Sequence, residues 1–550
     1  MKGAKNIMLL AFIAMNVLEQ PAPDVRIEQG IVRGMISGDG IVHEYMGIPY
    51  ATVGEKRFQA PLPPPSWEGV YNAVDEHYTC AHGSLFGLLE LGMTECLIVN
   101  VFAPAQRRGP LPVMVYIHGG AFVLGSADKM LYNPGFLVQH DVIVVSFNYR
   151  LGARGFLCLG IEEAPGNAGL KDQVAALRWV KKNIAAFGGD PDNVTLFGQS
   201  AGGTSASLLV QSDATNGLFN RAIIMSGSSI SSWTINSDPV WVASLIAKAL
   251  GYPGTRDPHE LYEIFSKVPL TDLAKVKAKK PFDRYLETEL MYLPCVENRL
   301  PGVEAIIPDV PYKMATSPTR KNISIMHGTT DREGIFLIAL ENEERMSERN
   351  RGYMFASDLQ FESEEQASAE SKRVNKYYFG DDPISMKKIL NVSELYTDYY
   401  FEIQSILESE IFLETSNQPV FNYHYKYSGS RNFVKYLSGY RGAPGACHGD
   451  ELLYLFNGWL WPFPINNDDR TVIYRLTRMW TNFAKYGEPT PAHDASLPVR
   501  WAPSESGNMR ILHIDKELSM GTIPNREIYD LWKGLYQKYR RTKLKSYQIK

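Results

Sequence analysis

The sequence predicts an α/β fold: a large, mostly parallel central sheet flanked by helices, with helical insertions over one end of it. Three observations carry this expectation. Short continuous apolar runs recur along the chain, as in strands buried on both faces of a parallel sheet. Helix-period segments separate them, so strand and helix alternate. One run, Val194 to Phe197, passes through a glycine-bracketed turn straight into the small, helix-compatible stretch Thr204 to Val210.

The elements follow in order. Val25 to Tyr50 reads as short strands with Gly turns, and Pro61, Pro63, Pro64 and Pro65 before Trp67 form an extended, rigid surface segment. Leu97 to Phe102 and Pro112 to Ile117 are strand-like, the second ending in His118-Gly-Gly-Ala-Phe122, and Val142 to Phe147 is apolar throughout. Leu170 to Phe187 places Val174, Leu177, Val180 and Ile184 on one helical face and stops at Gly188-Gly189. Arg221 to Ser226 is again strand-like. From about Ser237 to Arg320 the pattern loosens into helices and loops, with a basic run at Lys275 to Lys280. Glu341 to Arg373 reads as exposed helices. The sheet resumes at Ile323 to His327 and Val420 to Tyr427. Helices at Thr471 to Tyr486 and Ile528 to Tyr539 close the chain, the latter with Leu531, Trp532 and Leu535 facing inward. The alternation crosses both insertions without a linker, so residues 23–550 are expected to form one domain.

Composition narrows the function classes. Of 550 residues, 45% are hydrophobic and 21% charged, as in a well-packed soluble enzyme. A net charge of −4 and a pI near 6.3 argue against nucleic-acid binding and against broad attraction to anionic membranes. Lys2 and Lys5 precede the apolar stretch Ile7 to Leu18, the pattern of a signal peptide over about residues 1–22. The destination expected is therefore extracellular. Glu19, Gln20 and Pro21 give no clean cleavage site, so a hydrophobic arm on a cytosolic protein is the alternative. No later segment reaches spanning length without charges, so no integral membrane segment is expected. Five cysteines leave at least one free thiol. Cys80 and Cys96 are close enough in sequence to close a short loop, and Cys158 is expected to pack as a small apolar side chain. Asn193-Val-Thr and Asn322-Ile-Ser run into strands, which leaves Asn391-Val-Ser as the available glycosylation acceptor.

The chemistry is read from the turn. Gly198-Gln-Ser-Ala-Gly202 is a G-x-S-x-G pentapeptide between strand and helix, the context of a nucleophile elbow, which makes Ser200 the candidate nucleophile. A serine hydroxyl needs a base, and the base needs an orienting carboxylate. In α/β-hydrolases the order is Ser, acid, His, each on a loop after a strand. Gly328-Thr-Thr-Asp-Arg-Glu333-Gly follows one strand, and Gly445-Ala-Cys-His448-Gly-Asp-Glu-Leu452 follows the next. Glu333 and His448 thus fit as acid and base. Asp331 competes for the acid role, and spacing alone does not separate the two. His327, inside a strand run, fits a packed core histidine, and His118 fits a loop brace. Backbone N–H groups of Gly120 and Ala121 in the HGG-type loop, with that of Ala201, would form an oxyanion hole. No cofactor or metal motif accompanies these residues.

Through these motifs and others the chain resembles the type-B carboxylesterase/cholinesterase family over about residues 25 to 540. The resemblance runs through Gly47-Ile-Pro-Tyr-Ala51, Arg57-Phe58, Glu95-Cys-Leu-Ile-Val-Asn100, Asn148-Tyr-Arg-Leu-Gly152, Asn167-Ala-Gly-Leu-Lys-Asp-Gln173, Phe187-Gly-Gly-Asp-Pro191 and Phe219-Asn-Arg-Ala222. It implies Glu333 rather than Asp331 as the acid, Ser226 as a buried supporting hydroxyl, and a Cys80–Cys96 disulfide. The loop between those cysteines is short and lacks the tryptophan that cholinesterases present to choline, which argues against choline esters. A second disulfide common in the family has no matching cysteines. Gln199 in the elbow and the G-x-x-H-x-x-E form of Gly445 to Glu451 are similar to juvenile hormone esterases. The wider text is similar to general insect carboxylesterases.

The expectation is thus a serine carboxylic ester hydrolase working through an acyl-enzyme on a lipophilic small-molecule ester, as a monomer or weak dimer. The alternatives are a juvenile hormone esterase and, from another class, a non-catalytic or slow-turnover ester-binding protein.

Overall fold

The apolar runs become the strands of one eleven-stranded sheet. In chain order these are β1 (Met35–Ile36), β2 (Val42–Pro49), β3 (Ile98–Pro104), β4 (Leu111–Ile117), β5 (Ile143–Phe147), β6 (Gly189–Gln199), β7 (Arg221–Met225), β8 (Ser324–Thr330), β9 (Val420–Tyr425), β10 (Ile511–Ile514) and β11 (Leu518–Gly521). The structure, a computed structural model, describes residues 20–544 apart from 76, 82–94, 282–283, 287–289, 318–321, 460–462 and 493. Most of the expected signal segment, and the loop between Cys80 and Cys96, therefore lie outside the described residues.

The strand order is β11-β10-β9-β8-β7-β6-β4-β5-β3-β2-β1. Every pairing from β5 through β10 is parallel, and the flanks are antiparallel. The sheet is thus mixed, with its parallel centre built from the continuous apolar runs. Side chains alternate across it. In β4, Val113, Val115 and Ile117 face one core, while Met114 and Tyr116 face the other. Helices α1 (Ala168–Asn183) and α2 (Ala201–Gln211) supply the first core with Leu170, Val174, Leu177 and Leu208. The long C-terminal helices are α3 (Asn467–Tyr486) and α4 (Arg526–Tyr539). Helix α3 covers the opposite face with Val472, Leu476, Met479, Trp480 and Phe483. It begins four residues earlier than its periodicity suggests, because Asn466 and Asp469 form a reciprocal capping box.

The insertions carry cores of their own. Val242, Ile246, Leu261 and Phe265 form one, while Met346, Val374, Leu395, Tyr399 and Ile406 join Trp532 and Leu535 of α4 in another. Strands β10 and β11 and the buried helical stretch 389–415 carry no clear period in the sequence. The latter is interrupted by a π-helical turn, Asp398–Glu402.

Two expectations about side chains need correction. Cys158 does not pack as a free apolar side chain: it is disulfide-bonded to Cys295, 137 residues away. Gly166 lets the two sulfurs approach, since a Cβ there would lie 2.5 Å from Cys295 Sγ and 2.7 Å from Cys158 Sγ. That closeness is tertiary and leaves no local mark. Asn391 is also less available as a glycosylation acceptor than expected. It sits in a helix, Ile389–Thr397, donates from Nδ2 to the Tyr378 carbonyl at 3.0 Å, and is followed by the buried Ser393. The Cys80–Cys96 disulfide is present, and Cys447 is free and buried.

Burial pushes the Cys447 thiol well above its ordinary range, which suppresses the reactive thiolate. Titration with a thiol reagent should therefore find no reactive thiol in the native protein and one after unreducing denaturation. Three thiols in that second state would show that Cys158 and Cys295 are not joined.

Candidate active site

The site begins at a strained turn. Strand β6 ends at Gln199, α2 starts at Ala201, and Ser200 between them has φ 59° and ψ −125°. A non-glycine residue with such a φ is held there by its surroundings. The Ser200 N–H donates to the Met225 carbonyl at 2.8 Å, and the Ser200 carbonyl accepts from Thr204 N–H at 2.8 Å. Gly202 packs so closely under β4 that a Cβ on it would overlap the Ile117 carbonyl. No larger residue fits that approach.

The HGG-type loop lies against this turn. A Cβ on Gly119 would stand 3.0 Å from Ser200 Cβ. Beyond it the backbone turns over with positive φ at Gly120 (117°), Ala121 (55°) and Phe122 (63°). The backbone N–H groups of Gly120, Ala121 and Ala201 donate to no protein acceptor among the described residues. His118 stacks on Tyr149 with ring centroids 4.4 Å apart, and Tyr149 Oη donates to the His118 carbonyl at 2.9 Å. The histidine braces the loop from behind.

Across the cleft, the loop after β8 brings Glu333 to His448. Oε2 of Glu333 lies 2.6 Å from His448 Nδ1, and Oε1 accepts from Ser226 Oγ at 2.5 Å and Thr330 N–H at 2.7 Å. Glu333 and Ser226 are fully buried. Asp331 points elsewhere: its Oδ1 accepts from Ala446 N–H at 2.7 Å, so it pins the histidine loop instead. His327 is a buried core residue bonded to the Gly227 carbonyl and Ser409. The two other carboxyls of the histidine loop are buried as well. Burial pushes Asp450 up to about 7, and holds Glu451 well above the usual carboxylate range with the Glu333 charge adding to it.

With Nδ1–H donating to Glu333, Nε2 of His448 is an acceptor. It faces the Gln199 side-chain amide, Nε2 to Nε2 at 3.2 Å, and makes no hydrogen bond to Ser200 here. Catalytic hydrogen bonds tighten with substrate in many enzymes that lack them when empty. The imidazole packs against two neighbouring rings, Phe336 stacked at 4.5 Å and Phe401 tilted at 4.8 Å, and Trp233 packs 5.8 Å from Phe401. None of these three aromatics is marked by a motif. Phe401 lies on the π-helical turn, which periodicity does not reveal. Among the described residues no three His, Cys, Asp or Glu side chains gather as a metal site.

Comparison with known proteins settles the family. A family model, described as the carboxylesterase family, matches residues 21–532. The chain belongs to the carboxylesterase family. It is 33% identical over 538 residues to Esterase B1 of Culex pipiens, covering 93% of this chain and 98% of that protein. It is 34% identical over 509 residues to Juvenile hormone esterase of Heliothis virescens, covering 88% of each. The crystal structure of Juvenile Hormone Esterase from Manduca sexta, with OTFP covalently attached, superposes with a TM-score of 0.81 at 29% identity, covering 94% of this chain and all of that one. This carboxylesterase is accordingly a carboxylic ester hydrolase of the α/β-hydrolase fold.

Two substitutions probe the geometry. Gln199→Glu would set a carboxylate against His448 Nε2 and favour the imidazolium, so the acid limb of kcat/KM should move to higher pH by about one unit. An unmoved limb would mean that Gln199 and His448 do not meet in solution. Ser226→Ala removes a hydrogen bond to a buried carboxylate, a loss of about 1.5–3 kcal/mol, or roughly ten- to a hundredfold in kcat. An unchanged kcat would show that Thr330 and His448 suffice to hold Glu333.

Proposed function

We propose that this esterase works through an acyl-enzyme, with Ser200 as nucleophile, His448 as base and Glu333 as the orienting acid. The observation that carries the reading is the 2.6 Å contact between buried Glu333 and His448 Nδ1, beside the strained turn at Ser200. His448 takes the hydroxyl proton as Ser200 Oγ attacks the ester carbonyl. The oxyanion then meets the N–H groups of Gly120, Ala121 and Ala201, and His448 passes its proton to the departing alcohol. Water, deprotonated by His448, attacks the acyl-enzyme, and the acid leaves with Ser200 restored. Ser226 acts on this sequence only through Glu333.

The substrate class is a lipophilic small-molecule ester. Phe336 and Phe401, the latter backed by Trp233, give the imidazole an apolar wall on one side that suits an uncharged chain. A juvenile hormone ester is the second reading, favoured by Gln199 in the elbow and by the similarity to two juvenile hormone esterases. The apolar N-terminal segment acts as a signal peptide in this proposal, but the single domain begins before residue 23, not at it, since Pro21 bridges Met35, Ile36 N–H donates to the Gln20 carbonyl and Ala22 is buried in the core; the protein is extracellular as a monomer or weak dimer. No helix among the described residues is long and apolar enough to cross a membrane, and the two disulfides fit an oxidising compartment.

A panel of aryl acetates, long-chain acetates and juvenile hormone tests this on purified protein. Ser200→Ala should abolish turnover of every ester and block labelling by an organophosphate; normal turnover in that variant would remove Ser200 from the mechanism. Preference for the hormone over simple acetates would select the second reading. A stoichiometric burst without steady-state turnover would indicate a sequestering protein. Ala121→Asp, which puts a charge at the oxyanion, should lower kcat at least about a hundredfold, the scale set by loss of one such donor.

A further inference from the structure

A cavity of about 660 Å³ opens between the insertions and the C-terminal end of α4, and none of Ser200, Glu333 or His448 lines it. Its size is that of a small-molecule site. Its charge is the opposite of the whole chain's. Seven Lys and Arg side chains line it against four Asp and Glu, although the protein's net charge is −4.

The acids are in part committed. Asp238 is paired with Arg256 at 2.5 Å, and Asp358 accepts from the Tyr536 and Tyr399 hydroxyls. Glu344 and Glu348 ride on the helix Glu343–Arg351 at the cavity's side. Several cations, by contrast, are held by neutral groups. Arg540 donates to the Ile230 carbonyl and to Gln404 Oε1, each at 3.3 Å, and its guanidinium lies over the Tyr312 and Tyr536 rings at 4.7 and 4.2 Å. Arg541 donates from Nε to the Ser357 carbonyl at 2.9 Å. Neither arginine, nor Lys279 or Lys543, forms an ion pair among the described residues. These four fix positive charge around a concavity whose low-dielectric walls focus it. The same cavity is walled by Ile230, Val242, Leu293 and Val310.

We propose that this cavity is a second binding site, for an amphipathic monocarboxylate. Its headgroup is held by Arg540, Arg541, Lys279 and Lys543, and its hydrocarbon tail lies along the apolar wall. Arginines already oriented by carbonyls and tyrosine rings lose little freedom on meeting a carboxylate, and their planar N–H edges suit it. The tail supplies the burial that a free inorganic anion lacks.

The test is calorimetric titration of the intact protein with decanoate, decanol and acetate. Decanoate should bind once per chain, with decanol and acetate at least tenfold weaker. Lys279 and Lys543 are exposed, so the double variant Lys279→Glu/Lys543→Glu should fold, keep its p-nitrophenyl acetate turnover and bind decanoate at least tenfold more weakly. Lys279→Arg/Lys543→Arg should restore binding, and Lys279→Gln/Lys543→Gln, which adds no charge, should fall between them. Equal decanoate affinity in all these variants, no decanoate binding, or equal binding of decanol would overturn the proposal.

Discussion

The constraint on which the rest of the structure depends is the backbone of Ser200. Its φ of 59° is one that a side-chain-bearing residue leaves unless held, at a cost of about 1–3 kcal/mol. The holding is done by packing at its closest. The start of α2 is driven against the end of β4 through Gly202, while β7 supplies the Met225 carbonyl for the Ser200 N–H. Three neighbouring parallel strands therefore end together beneath one hydroxyl. Because β4 and β7 flank β6, the loops that leave them must pass the same point, and these are the loops that carry Gly120, Ala121 and Ser226. The strain at the serine and the gathering of the site are one geometric fact.

A second consequence is where charge is allowed to lie. Three carboxyls gather around His448, Glu333 from the loop after β8 and Asp450 and Glu451 from the histidine loop itself, and all are buried. Three ionised groups there would repel one another in a medium that screens them poorly. The fold spends its hydrogen-bond donors unequally. Glu333 takes Ser226, Thr330 and His448, whereas neither Glu451 oxygen has a protein partner among the described residues. Asp450 accepts from Asn432 Nδ2 and the Cys447 and Lys435 N–H groups, and burial still pushes its carboxyl up to about 7. A similar pattern anchors the far end of α2, where buried Glu408 accepts from Ser207, Gln211 and Ser229. The elbow helix is thus tied to the segment after Ser226 as well as to the sheet.

Much of this was legible in the sequence because it is local. A strand, a glycine-bracketed turn and a small-residue helix are adjacent in the chain, so Gly198 to Gly202 announces its geometry. The order of Ser200, Glu333 and His448 is likewise a property of the string. The parallel centre of the sheet could be read from Val142 to Phe147 and its neighbours, whose residues are buried on both faces. What was not legible depends on meeting across the fold. Cys158 reads as a small apolar residue because its partner lies in an insertion, and Asn391 reads as available because the Tyr378 carbonyl that its side chain meets belongs to another helix. Asp331 and Glu333 are two residues apart in similar contexts; separating them required either a resemblance or the observation that Asp331 faces Ala446 N–H.

The same distinction explains why substrate preference is harder to read than chemistry. The proposed reacting groups are placed by the sheet, whose register is fixed by alternation: a slip of one residue would turn Val113 and Ile117 away from their core. The rings beside His448 come from elsewhere. Phe401 reaches His448 because a π-helical turn at Asp398–Glu402 rotates the following helix relative to the preceding one, and Phe336 because a short helix follows Glu333 directly. One residue more or fewer in either segment would swing these rings off the imidazole without disturbing a strand. The apolar wall is therefore free to vary while the strained serine is not, and a chain built this way can change its ester while keeping its chemistry.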